Sequence, residues 1–181
     1  MIRSVLNKIF IVILLLSCLG LISPGFAQRS EYEVKAAFIE KFTHFIEWPL
    51  DTADQGHFII FVFPDSPLVP HLKTLFEHHL VKGKPVDVLI SNNLMLLDSA
   101  QIVIVHHSEK HLMPVIHSIV RNKPILTIGD YPGFLEAGGI LLLFREEDHI
   151  RFAINITALS ETKLIVSSQL LKLAKLYQGQ Q

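Results

Sequence analysis

Histidine and carboxylate are the residue types here whose spacing suggests chemistry, since imidazole both ligates metals and moves protons near neutral pH. The 181-residue sequence holds ten histidines. His78-His79, His106-His107, His111 and His117 are the candidates for metal ligands. His107 and His111, four apart, share one face of a helix that begins early, a spacing on which zinc sites are commonly built, with a third ligand to come from elsewhere. Surface and boundary histidines are the competing reading. Asp130 follows the apolar run Ile125-Leu126-Thr127-Ile128, which places it at the carboxyl edge of a sheet near His106, where open α/β folds bind ligands. An aspartate at such a junction also forms turns. Glu146, Glu147 and Asp148 fall in a charged turn and read as a solvated hairpin tip. The sequence lacks the G-x-x-x-x-G-K-[ST], G-x-G-x-x-G, G-x-S-x-G and H-E-x-x-H patterns. Gly129, Gly133, Gly138 and Gly139 lack phosphate-loop spacing and read as glycines serving turns with positive φ.

The elements that would position these residues are legible from hydrophobic periodicity. Glu31 to Trp48 reads as one amphipathic helix, with Val34, Phe38, Phe42, Phe45 and Ile46 at spacings of three and four and Pro49 ending it. Phe58 to Phe63 is a continuous apolar run suited to a strand covered on both faces. Ser66 and Pro67 open a second helix through Leu72 and Phe76, which Gly83 ends. Val86–Ile90, Ile102–Val105 and Ile125–Ile128 follow as strands. A helix capped by Ser108 and closed by Asn122 and Pro124 contains Pro114, so a kink or a late start is expected. Ile140–Phe144 and the period-two stretch Ile150 to Ile156 form an antiparallel hairpin, and Gln169 to Tyr177 a closing helix. The expected fold is a single α/β domain: a mostly parallel central sheet of about six strands, a late antiparallel hairpin, and helices on both faces.

The first 27 residues stand outside this fold. Arg3 and Lys8 precede a fourteen-residue apolar run, and Gly25-Phe26-Ala27 supplies a small-x-small site, the pattern of a secretory signal peptide. The run is short of the roughly twenty residues that a spanning helix needs. A lipoprotein box ending at Cys18 is the alternative, and it too takes the chain out of the cytoplasm. Removing residues 1–27 leaves 14 basic and 17 acidic residues, a net of −3, with no basic excess to bind nucleic acid. Cys18 is the only cysteine, so residues 28–181 have no disulfide and no thiolate ligand, and stability must come from the core.

Tyr32-Glu33-Val34-Lys35-Ala36-Ala37-Phe38, Glu47-Trp48-Pro49, Leu126-Thr127-Ile128-Gly129-Asp130, Phe134, Gly138-Gly139-Ile140, Phe152-Ala153-Ile154-Asn155 and Ser167-Ser168-Gln169-Leu170-Leu171-Lys172-Leu173-Ala174 occur in that order. This succession closely resembles the YfiR-like family of periplasmic proteins, from about Tyr32 to Tyr177. The resemblance implies a non-enzymatic regulator without a cofactor. Such a protein binds the periplasmic sensor domain of an inner-membrane diguanylate cyclase and represses it, lowering cyclic di-GMP and biofilm formation, and it is expected to be a homodimer. The redox-responsive disulfides of the best-known member have no counterpart here. The family often has a basic residue after the paired serines, where Gln169 stands, which weakens an anion contact at that position. For a partner surface the candidates are Phe144 and the connector residues Leu164, Ile165 and Val166, because three apolar residues in a connector cannot all point inward. Two other readings remain open: an extracytoplasmic small-molecule sensor using Asp130, His106 and Gln169, and a histidine-based metal-binding protein or hydrolase.

Overall fold

The computed structural model describes residues 30–49 and 56–179. The expected leader at 1–27 and the Cys18 alternative lie outside the described residues. Helix α1 spans Glu31–Phe45, capped by Ser30, whose hydroxyl accepts from the Glu33 amide. It stops before Trp48. Ile46 adopts an extended backbone, and Ile46–Glu47 forms a short strand β1. Trp48 turns inward to donate from Nε1 to the Gln101 carbonyl at 3.1 Å and packs edge-on against Phe58.

The remaining elements are β2 (Phe58–Val62), α2 (Val69–Phe76), β3 (Leu80–Val81), β4 (Lys84–Ile90), β5 (Ile102–Val105), α3 (Met113–Val120), β6 (Leu126–Gly129), β7 (Leu141–Glu146), β8 (His149–Asn155), α4 (Ile156–Ser160), β9 (Ile165–Val166), α5 (Ser168–Leu173) and β10 (Lys175–Tyr177). The main sheet has the order β10-β8-β7-β6-β5-β2-β4-β3. β4, β2, β5, β6 and β7 run parallel, β8 returns antiparallel to β7 as expected, β10 lies parallel to β8, and β3 lies antiparallel to β4. A separate ribbon pairs β1 with β9, Ile46 opposite Val166 and Glu47 opposite Ile165.

The sheet is therefore mixed and eight-stranded, where about six strands, mostly parallel, were expected. The two additional strands are short edges of two and three residues, too brief to show a period. β3 arises because Gly83 does not end a helix: Lys82 and Gly83 both have positive φ, 52° and 79°, and join β3 to β4 in a two-residue hairpin. β10 arises because α5 ends at Leu173 and Ala174 turns extended, so the closing segment is half helix and half strand. Helix α4 replaces the end of the expected last strand. Asn155 caps it, its Oδ1 accepting from the Ala158 amide at 3.0 Å.

Both sheet faces are covered, as expected. Phe58, Ile60 and Val62 point toward α1, α2 and α5, whereas Phe61 and Phe63 join Met113, Ile116 and Val120 of α3 on the other face. The late start of α3 also holds. His107–Leu112 is 3-10 helix, and the α-helix begins at Met113 with Pro114 in its first turn, where the missing N–H costs nothing.

Candidate functional site

The parallel pairing of β5 with β6 sets Val105 opposite Gly129, so the next residue of each strand, His106 and Asp130, emerges side by side at the carboxyl edge of the sheet. His106 Nδ1 lies 2.9 and 3.0 Å from the two Asp130 oxygens. From above, α1 lowers Lys35 into the same point: its Nζ lies 3.0 Å from Asp130 Oδ2 and 2.7 Å from Glu31, one helical turn back. Tyr32 closes the group, edge-on to His106 and with its ring 5.1 Å from the Lys35 ammonium. The Lys35 and Asp130 side chains are 5% and 6% exposed, and His106 is 20% exposed.

A buried ammonium survives only with partners. Burial pushes the Lys35 pKa down, but its bonds to Glu31 and Asp130 outweigh that and hold it above the ordinary lysine value. The phenylalanine stripe of α1 is thus not its most buried face. Lys35, Ala36, Ile39, Phe42 and Thr43 are buried, while Val34, Phe38 and Phe45 are half-buried. A lysine at a core position is invisible to hydrophobic periodicity, and only its place in the Y-x-V-K-A-A-F motif could have signalled it.

Beside this network, Tyr131 and Glu109 are buried, and the Tyr131 hydroxyl and Glu109 Oε2 have no hydrogen-bond partner. Burial, with the nearby negative charges of Asp130 and Glu109, pushes the Tyr131 pKa up to about 12. Tyr131 packs edge-on against His107 and Phe134. Phe134 explains two glycines. A Cβ on Gly129 would meet its ring at 2.4 Å, and one on Gly139 at 2.2 Å. These two glycines are set by close approach; Gly133 and Gly138, at φ 87° and 89°, serve turns as expected. The Thr127 hydroxyl accepts from the Ile140 amide at 2.9 Å and Asn155 Nδ2 donates to the Leu135 carbonyl at 2.9 Å, so the 130–140 segment is tied to both neighbouring strands.

The other anticipated site residues disperse. Gln169 is exposed on α5 and shares no hydrogen bond with His106 or Asp130. His107 and His111 are exposed, and among the described residues no three His, Cys, Asp or Glu side chains gather as a metal site. Of the partner candidates, Leu164 is buried in the core and is corrected to a packing residue; Ile165 is 63% exposed; Val166 is half-buried opposite Ile46. Within β9, alternation sends Ile165 and Val166 to opposite sides, and Leu164, just before the strand, turns into the core. Phe144 is half-buried on β7 with Lys175 over its ring.

An open mixed sheet covered on both faces, with ionisable groups at its carboxyl edge engaged mainly with one another, makes this an α/β domain of layered architecture. The chain belongs to the YfiR/HmsC-like family, whose sequence profile matches residues 32–175. A conserved domain protein from Vibrio cholerae O1 biovar El Tor shares the fold, with a TM-score of 0.52 and 11% identity; the alignment covers 81% of this chain and 60% of that one. No curated protein matches this chain significantly. Among the described residues no helix is long and apolar enough to cross a membrane.

Proposed function

We propose that this protein is a non-enzymatic periplasmic regulator that binds the periplasmic domain of an inner-membrane diguanylate cyclase and represses it, lowering cyclic di-GMP and biofilm formation. Family membership over residues 32–175 carries the proposal. The exposed apolar Ile165, held outward on the β1–β9 ribbon, supports a protein-binding role. The test is titration calorimetry of the exported protein against the purified periplasmic domains of inner-membrane diguanylate cyclases from the same organism, paired with cyclic di-GMP levels in cells. Ile165→Asp, which adds a charge where the side chain already meets water, should raise cyclic di-GMP while leaving the melting temperature unchanged. No binding by the wild-type protein would overturn the regulator reading.

A second reading, a small-molecule sensor, draws on the unpartnered Glu109 and Tyr131 groups next to His106 and Asp130. A nucleotide or amino acid that binds there would raise the melting temperature in a thermal-shift screen, because it stabilises only the native state. Glu109→Gln should remove that shift.

A further inference from the structure

We infer that the groove between α1 and α5 is the seat of an acidic amphipathic helix contributed by the protein partner, an inference that rests on the regulator reading above. The groove encloses about 310 Å³ and is lined by Phe38, Phe45, Phe152, Leu170 and Leu173, with Lys41 the one charged residue on its rim. Its floor is a packed aromatic cluster: Phe42 meets Phe152 at 5.1 Å and Phe38 meets both at about 6 Å. Two helices with an aromatic floor between them form the kind of trough that receives the apolar face of a third helix, and this volume suits two or three large side chains at spacings of three and four.

Two observations choose the occupant. Leu173 is 75% exposed at the rim. A small ligand filling the trough would leave that leucine in water, whereas a helix laid along the trough covers it. The charge at the rim selects an acidic partner: Lys41 is the one charged residue lining the groove, and Lys172 is exposed beside Leu173 on α5, while Lys175 is already engaged by Glu146. On the α1 wall Lys41 is 67% exposed, while Glu40 is largely covered and engaged by Lys41 and His44. A cationic rim at an apolar trough steers an acidic helix toward it and sets its register.

The experiment uses as probe the purified periplasmic domain of the inner-membrane diguanylate cyclase that the titration above identifies. Leu173→Glu and Lys41→Glu, both at exposed positions, should each weaken its binding about tenfold or more, the loss expected of a central interface residue. Met95→Glu, at an exposed methionine in the 3-10 segment Leu94–Ser99, should not change it. Raised salt should weaken the wild-type complex. A photo-crosslinker at position 173 should capture a helical segment carrying Asp or Glu beside its apolar residues. A domain that binds wild type and Leu173→Glu equally overturns the groove assignment alone. Failure of every such domain to bind overturns both readings. Conversion of a dimer to a monomer by Leu173→Glu, or displacement of a fatty-acid probe from the trough without effect on the domain, would assign the groove to a second copy or to a lipid and overturn the acidic helix.

Discussion

Replacing Lys35 with Met tests the buried network directly. The substitution keeps an unbranched apolar stem of similar length and deletes the ammonium, leaving the Asp130 carboxylate 6% exposed with His106 as its remaining partner. Breaking a buried pair from one side costs about 3–5 kcal/mol, because the surviving charge has lost its counter-charge without regaining water. For a domain of this size each kcal/mol corresponds to roughly 2–4 °C, so the melting temperature should fall by on the order of 10 °C near pH 8. Removing both charges in Lys35→Met/Asp130→Leu should recover much of the loss, a coupling of about 2 kcal/mol or more in a double-mutant cycle. Urea unfolding followed by circular dichroism supplies each corner. A single-variant cost under about 1 kcal/mol, or single costs that simply add, would refute the claim that this network locks α1 to the sheet.

Gly129→Ala and Gly139→Ala should each cost about 1–3 kcal/mol, since either Cβ drives into the Phe134 ring, and the loss should be partly recovered by Phe134→Leu in the same unfolding assay. Alkaline titration followed by tyrosinate absorbance should show one tyrosine ionising near pH 12, assigned by its loss in Tyr131→Phe. Lys35 and Tyr131 both hold their protons more tightly in the fold than when unfolded, so the stability they contribute is fully present below about pH 10 and is lost as pH rises through their raised values. Stability measured from pH 9 to pH 12 should therefore fall less steeply in Lys35→Met and in Tyr131→Phe.

The long elements were legible because burial imposes a period on them. β2, β5, β6 and the β7–β8 hairpin are continuous or alternating apolar runs, and Pro114 marked the late start of α3. What the period could not carry were the elements made by few residues. β1, β3, β9 and β10 are two or three residues long, and α4 exists because Asn155 offers its side chain to Ala158 at the point where the strand pattern continues into Ile156. The site divides in the same way. Asp130 and His106 were placed at the strand ends by topology alone, whereas Lys35 reaches Asp130 from 95 residues away in sequence, a distance across which no local pattern acts. Glycine chemistry misled where the constraint was a neighbour: Gly129 and Gly139 flank a phenylalanine ring, a tertiary fact with no trace in φ.

The recurring motifs and the groove are connected through α1. The helix is fixed near its start by Lys35 to Asp130 and at its end by Ile46 in the β1–β9 ribbon. α5 is fixed to the same ribbon, since the Ser167 amide donates to the Phe45 carbonyl at 2.9 Å, Ser167 caps α5 through the Leu170 amide, and the chain continues into β10 against β8. Phe152, the floor, stands on β8 itself. Both walls and the floor are therefore anchored by backbone pairing or a buried ion pair, and the trough exists before anything enters it. A preformed trough would spare a docking helix the entropy of ordering this side of an interface. That is a physical reason for Y-x-V-K-A-A-F, G-D, F-A-I-N and S-S-x-L-L to occur together in one chain: each fixes a wall, the floor or the joint of the same groove.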